Sequence, residues 1–284
     1  MIVEPSNRRY PSPEASRPVD ESGIKCWDRA LLLGITLAPY LPFLIRSKYF
    51  WWGLVPQALV LLHFWRRNFV LWARAIYWPM FYIGILLFRW PVKLLVPLGL
   101  YLVMYAAWPR FRMATHWLVA GRFTRFTVVW MVPTILVSSG ALLAWVFLLH
   151  PNLSDLSSMV PKGGVLALVG IGAGFSVLNA AWEEFVFKGI AWNTLDGVFH
   201  RSWITNCIQS IMFGLVHIGG FPRGWLGVAM ATVYGFALGA IRKESNGLLA
   251  PIVTHVFADA TIFLILYFMS VGVLRATHPG FVGF

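Results

Sequence analysis

The sequence predicts an all-α, polytopic transmembrane bundle of eight or nine spans. Three observations predict it. The chain is 58% hydrophobic and 12% charged, with a mean hydropathy of +0.69, whereas soluble domains carry about 25% charged residues. Apolar runs recur along its whole length, most of them near the ~20 residues that cross a hydrocarbon core. Lys and Arg fall mainly between those runs, and Trp and Tyr gather at their ends (Trp51-Trp52, Trp65, Trp78, Trp90, Trp108), as headgroup anchors do.

Taken in order, residues 1–26 are polar and Pro-rich (Tyr10-Pro-Ser-Pro13, Arg17-Pro18) and lack the apolar stretch of a cleaved signal peptide. They read as a disordered tail on the cytoplasmic side. The run 30–45 is short and contains Pro39 and Pro42, which kink a helix. The runs 49–65, 69–88, 92–108 and 126–149 follow, so residues 27–150 form a set of N-terminal transmembrane helices without an assigned role. Residues 151–284 contain the runs 165–195, 203–219, 225–241 and 248–274, of which the first and last are long enough to tilt, break or project.

Loop charge sets the orientation. The segment 109–125 holds Arg110, Arg112, Arg122 and Arg125 without an acid, and Arg66-Arg67 and Arg242-Lys243 are also basic, whereas 151–162 carries one base and one acid. The positive-inside rule puts the basic loops and the N-terminus in the cytoplasm, with Arg46, Lys48, Arg89 and Lys93 on the other side against the trend. The net charge of +12 is therefore read as topology and attraction to anionic lipid, with no nucleic-acid partner. Cys26 and Cys207 show neither metal-site spacing nor a disulfide framework. Gly170-Ile-Gly-Ala-Gly174 lies inside an apolar helix without a preceding strand and reads as close helix packing.

Three sites interrupt the apolar runs. Glu183 and Glu184 follow 165–182, and a carboxylate at bilayer depth costs roughly 2.5–3.5 kcal/mol on insertion scales. Glu184 and Lys188 are four apart and share a helix face, so a buried pair that merely holds the bundle accounts for them. Glu183 points about 100° away and needs another partner. The second site is Phe213-Gly-Leu-Val-His217, and the third is His255-Val-Phe-Ala-Asp259, again a co-facial pair. Alone, a histidine in an apolar segment is more often a satisfied core residue; three polar sites in neighbouring spans suit a hydrolase better.

The order Glu-Glu-x-x-x-basic, Phe-x-x-x-His and His-x-x-x-Asp resembles the CPBP family of intramembrane proteases, which includes CAAX proteases and bacteriocin-processing enzymes and is also called the Abi family. The resemblance covers about a third of the chain, 165–261, and departs from the family at Lys188, where Arg is usual; Asp259 stands where the family has Asn or Asp, and an acid there donates a hydrogen bond only when protonated. The resemblance implies a protease core over 151–284 and an endopeptidase acting on a membrane-presented peptide or protein terminus, prenylated or not. Glu183 and His217 would activate a water, His255 would stabilise the oxyanion with Asp259 fixing its ring, and Glu184 and Lys188 would support the helix face. Metal-free glutamate–histidine chemistry is one version; zinc held by Glu183, His217 and His255 is the other. Helix rise places His255 about 12 Å in from Gly247, an expectation of access from the cytosol. Two non-proteolytic alternatives stand beside this reading: a non-catalytic membrane scaffold or chaperone on the same fold, and a proton-coupled transporter, which should show paired broken segments that the sequence lacks.

Overall fold

A computed structural model of the chain describes residues 24–44, 50–161 and 163–274. Every regular element among them is helical. Of the tail expected over 1–26, residues 1–23 lie outside the described residues; Ile24 is buried and Cys26 already opens a helix, so the last part is not tail.

The N-terminal region is built of short helices. Helix α1 (Cys26–Leu37) gives way at Pro39 to a 3-10 turn and then to α2 (Leu41–Leu44), because proline donates no backbone hydrogen bond. Helix α3 (Leu54–Arg67) ends at Asn68, whose side-chain oxygen accepts from the amides of Val70 (3.0 Å) and Leu71 (3.2 Å) and so starts α4 (Phe69–Ala75) at a sharp turn. Helices α5 (Tyr77–Leu87), α6 (Val92–Ala107) and α7 (Pro109–Thr115) follow, the last two meeting at a 112° bend before Pro109. Helix α8 (Arg125–Leu149) is capped by Thr124, whose hydroxyl accepts from the amide of Thr127 at 3.0 Å.

After α9 (Ser154–Ser157), helix α10 (Val165–Glu184) runs through a π-helical segment (Phe185–Ala191) into α11 (Trp192–Phe199), a continuous 35-residue rod. Helix α12 (Ser202–Val216) ends in a 3-10 turn that begins at His217. Helices α13 (Gly224–Ser245) and α14 (Leu249–Ser270) complete the bundle.

Among the described residues five helical stretches are long and apolar enough to cross a membrane, or six if the bent α6–α7 pair is one span. The eight or nine spans expected from the apolar runs are not reached. The runs at 30–45, 49–65 and 203–219 yield helices of 12, 14 and 15 residues, below the ~17–25 a span needs. The chain is an integral membrane protein by its apolar helices.

Helices α10 and α14 pack antiparallel, and α12 packs along α13, with α8 against both α13 and α14. Small residues allow the close approach: a Cβ on Gly172 would stand 2.6 Å from the Phe263 ring. Polar side chains join α12 to α13 where Asn206 Nδ2 and Gln209 Nε2 donate to the carbonyls of Phe236 (3.0 Å) and Gly235 (3.2 Å). One apolar core runs through both halves, uniting Phe64, Trp78, Phe81 and Tyr101 with Val186, Phe187, Ile190 and Phe213.

The start of α14 has no side-chain cap. Its leading amides are met instead by the basic linker: Leu248 donates to Val119 (2.8 Å) and Leu249 to Ala120 (3.0 Å), while Arg122 donates back to Ser245 (2.8 Å). These bonds satisfy groups that a helix end leaves over. The backbones pass so closely that a Cβ on Gly247 would overlap Ala120 and Gly121, and Gly121 itself adopts φ +84°.

Candidate active site

Four elements supply the site. The C-terminal part of α10 brings Asn179, Glu183 and Glu184; the π segment brings Lys188; the end of α12 brings Phe213 and His217; α14 brings His255 and Asp259. All four residues expected to carry chemistry are drawn together. Glu183 Oε2 lies 3.9 Å from His217 Nε2 and 3.7 Å from His255 Nε2. This answers the geometry that isolated Glu183 on its own side of α10.

Hydrogen bonds settle which face each imidazole presents. His217 Nδ1 lies 2.8 Å from the Phe213 carbonyl, an acceptor only, so Nδ1 carries the proton and a neutral ring turns its Nε2 lone pair toward Glu183. His255 Nδ1 lies 2.9 Å from Glu184 Oε1 and donates to it, leaving Nε2 toward Glu183. The expectation that Asp259 fixes the His255 ring is not what the geometry holds. Asp259 Oδ1 is 3.8 Å from His255 Nε2, too far for a hydrogen bond. Asp259 Oδ2 instead accepts from Asn179 at 3.1 Å, which draws the carboxylate toward α10. Glu184, expected only to support the helix face, is the residue that orients His255.

Lys188 is fully buried, its Nζ 3.8 Å from Glu184 Oε1 and 4.6 Å from the centre of the Phe213 ring. The ring face is an attractive neighbour for an ammonium. The Lys188 carbonyl accepts from Arg242 Nε, and the Arg242 guanidinium lies 4.4 Å over Trp192. Aromatic rings close around the imidazoles: Phe213 at 4.6 Å from His217 and Tyr234 at 5.4 Å from His255, centre to centre.

Sequence reasoning missed Asn179, the aromatic surround and the π segment. The available signal for Asn179 was its place four residues before Glu183, one of two non-aromatic polar side chains (with Ser176) in an otherwise apolar run. Nothing in the residue types announces the π segment, a form that recurs at functional sites.

Glu183, His217 and His255 were the alternative zinc set. Among the described residues no three His, Cys, Asp or Glu side chains stand close enough together to hold a metal ion. As placed, these side chains do not form such a group, and no step is routed through a metal.

A cavity of about 860 Å³ starts at Asn179, Glu183, His217, His255 and Asp259 and continues between apolar walls from α10, α13 and α14. Its far part is lined by Leu156, Met159, Pro161, Arg89, Trp90 and Lys93. It therefore leads toward the end of the bundle that carries 151–161, away from the basic linker and the Arg242-Lys243 turn. The lining thus reaches toward the end of the bundle opposite the one from which the depth of His255 led us to expect access. The N-terminal region contributes to the walls through Phe43, Phe81 and Leu94. Next in sequence to the lining residues Leu156 and Pro222, Arg223 Nη2 clasps both carboxylate oxygens of Asp155 at 2.9 and 3.1 Å, and this holds the Asp155 carboxyl below the usual carboxylate range.

Buried carboxylates and imidazoles lining an apolar cavity, on helices long and apolar enough to cross a membrane, mark an integral membrane protein with a buried polar cluster. Residues 165–261 match the family model described as type II CAAX prenyl endopeptidase, Rce1-like. This match over about a third of the chain is consistent with an intramembrane protease of the CPBP family, and the matched segment contains every residue of the cluster. No curated protein and no solved structure matches the chain.

Proposed function

We propose that the chain is an intramembrane endopeptidase that hydrolyses a peptide bond of a membrane-presented protein or peptide terminus with a water activated by Glu183 and His217. One observation carries this reading: Glu183 Oε2 faces the Nε2 atoms of both histidines, at 3.9 and 3.7 Å, at the polar end of a substrate-sized apolar cavity. A water about 2.8 Å from both Glu183 Oε2 and His217 Nε2 closes a triangle on that gap. It donates one proton toward each, so its oxygen lone pair turns to the substrate carbonyl. Glu183 takes the water proton as the C–O bond forms. His255, donating Nδ1–H to Glu184, offers Nε2–H to the developing oxyanion when doubly protonated. Glu183 then delivers its proton to the leaving amine, and the peptide bond breaks. Lys188 supports the step from behind by holding Glu184.

The apolar cavity walls suit an apolar or lipid-modified terminus, and the match to a prenyl endopeptidase model favours a prenylated cysteine as the first probe. The basic linker supports a cytoplasmic location for the N-terminus and for the α13–α14 turn, so the cavity mouth faces the opposite side. The test is a comparison of newly formed protein termini in membranes of cells expressing wild type, E183Q, H217A or H255A at equal level. Fragments that depend on the wild-type chain and vanish in all three variants support the proposal. Identical fragments in all four overturn it and leave the non-catalytic scaffold.

A further inference from the structure

We infer that Asn179 is a positioning residue for hydrolysis: its carboxamide anchors one oxygen of Glu183 and ties it to Asp259, so that the other oxygen is the one that works. The inference rests on the endopeptidase reading. Asn179 lies one turn before Glu183 on the same face of α10 and is buried. Its Nδ2 is 3.3 Å from Glu183 Oε1 and 3.1 Å from Asp259 Oδ2. Both partners are carboxylate oxygens, so the amide must turn its NH₂ to them, and its two N–H groups serve one each. The two oxygens of Glu183 thereby acquire different duties. Oε1 is held by Asn179, while Oε2 accepts no hydrogen bond among the described residues and faces both imidazoles.

The same contact solves an electrostatic problem. Glu183 and Asp259 come from different helices and both are buried. Two carboxylates facing one pocket of low dielectric repel strongly. A donor shared between them offsets part of that repulsion and sets the angle at which Glu183 enters the cavity. No other amide side chain donates to either carboxylate among the described residues. Without it the Glu183 carboxyl group can rotate, and the general base is no longer aimed at the water.

The test compares wild type, N179L, N179D and E183Q in proteoliposomes with an internally quenched peptide carrying a farnesylated cysteine followed by three residues, rates being expressed per folded enzyme from thermal melts. N179L keeps the size and removes the donor; N179D is isosteric and guards against a packing defect. The expected result is a kcat lowered about 100-fold in both variants, the scale of misplacing a reacting group, with KM within about threefold, and a kcat–pH profile displaced by at least about half a unit because the working carboxylate has lost a donor. A merely structural bond lowers the folded fraction and leaves the profile in place. Wild-type kcat and an unmoved profile in N179L and N179D, beside a dead E183Q, overturn this inference alone; so does loss of folding in both variants. E183Q as active as wild type overturns the endopeptidase reading beneath it.

Discussion

Replacing Glu184 by Leu strands two buried groups at once. Lys188 is fully buried, and Glu184 is its one acidic partner within 4 Å among the described residues. Breaking one side of such a pair costs about 3–5 kcal/mol, because the remaining charge keeps its desolvation and loses its compensation. His255 Nδ1 loses the acceptor at 2.9 Å, which costs about 1–3 kcal/mol for a buried donor left unsatisfied. Adding K188M to E184L removes the stranded ammonium and leaves only the second cost. At about 2–4 °C per kcal/mol for a chain of roughly this size, the K188M step should return about 6–20 °C of the melting temperature lost in E184L, with a smaller deficit remaining. The assay is thermal unfolding in detergent followed by the fluorescence of the 15 tryptophans. An E184L melt within about 2 °C of wild type refutes the assignment of Lys188 to Glu184. A double variant no more stable than E184L refutes the claim that the ammonium is what becomes uncompensated.

Three further outcomes follow from the geometry. Gly247→Ala should destabilise the protein by about 1–3 kcal/mol, the usual range for overpacking, because the added methyl meets the backbone of Ala120 and Gly121; an unchanged melt would show that the linker does not dock on the start of α14. Arg223 holds the Asp155 carboxyl below its usual range, so the pair's contribution is present above the unfolded carboxylate value of about 3.9 and is lost as pH falls through the lower folded value. D155N should therefore cost about 0.2–1 kcal/mol at neutral pH, as exposed ion pairs do, and should converge with wild type in melts taken well below about pH 4; a difference that persists in acid would assign the effect to something other than the charge. Peptide cleavage by purified protein should survive thorough chelation with no zinc found by elemental analysis, whereas activity lost on chelation and restored by zinc would replace the glutamate–histidine route with the metal version.

The legible part of the fold was the part where membrane physics acts residue by residue. The stretches at 69–88, 126–149, 165–195, 225–241 and 248–274 were visible as apolar runs and form the five span-length helices. The misjudged runs fail for local reasons. Pro39 breaks the first, Asn68 caps a new helix at the end of the second, and α12 is a 15-residue helix whose buried polar face (Asn206, Gln209, Ser210) packs on α13. At the site, Glu183, His217, His255 and Asp259 stood out because ionisable groups are costly in apolar helices. The partner assignments did not, because they depend on how α10 and α14 meet. Spacing along one helix paired Asp259 with His255, while packing between helices gave His255 to Glu184 and Asp259 to Asn179.

The central claim is that Glu183 and the two histidines act on one water at the end of the cavity. The most direct measurement is the release of the tripeptide from the farnesylated peptide by purified protein in proteoliposomes, followed by mass spectrometry for wild type, E183Q, H217A and H255A. The account predicts release by wild type and rates per folded protein lowered about 100-fold or more in each variant, with a wild-type melt for E183Q. Release at the wild-type rate by folded E183Q would contradict it.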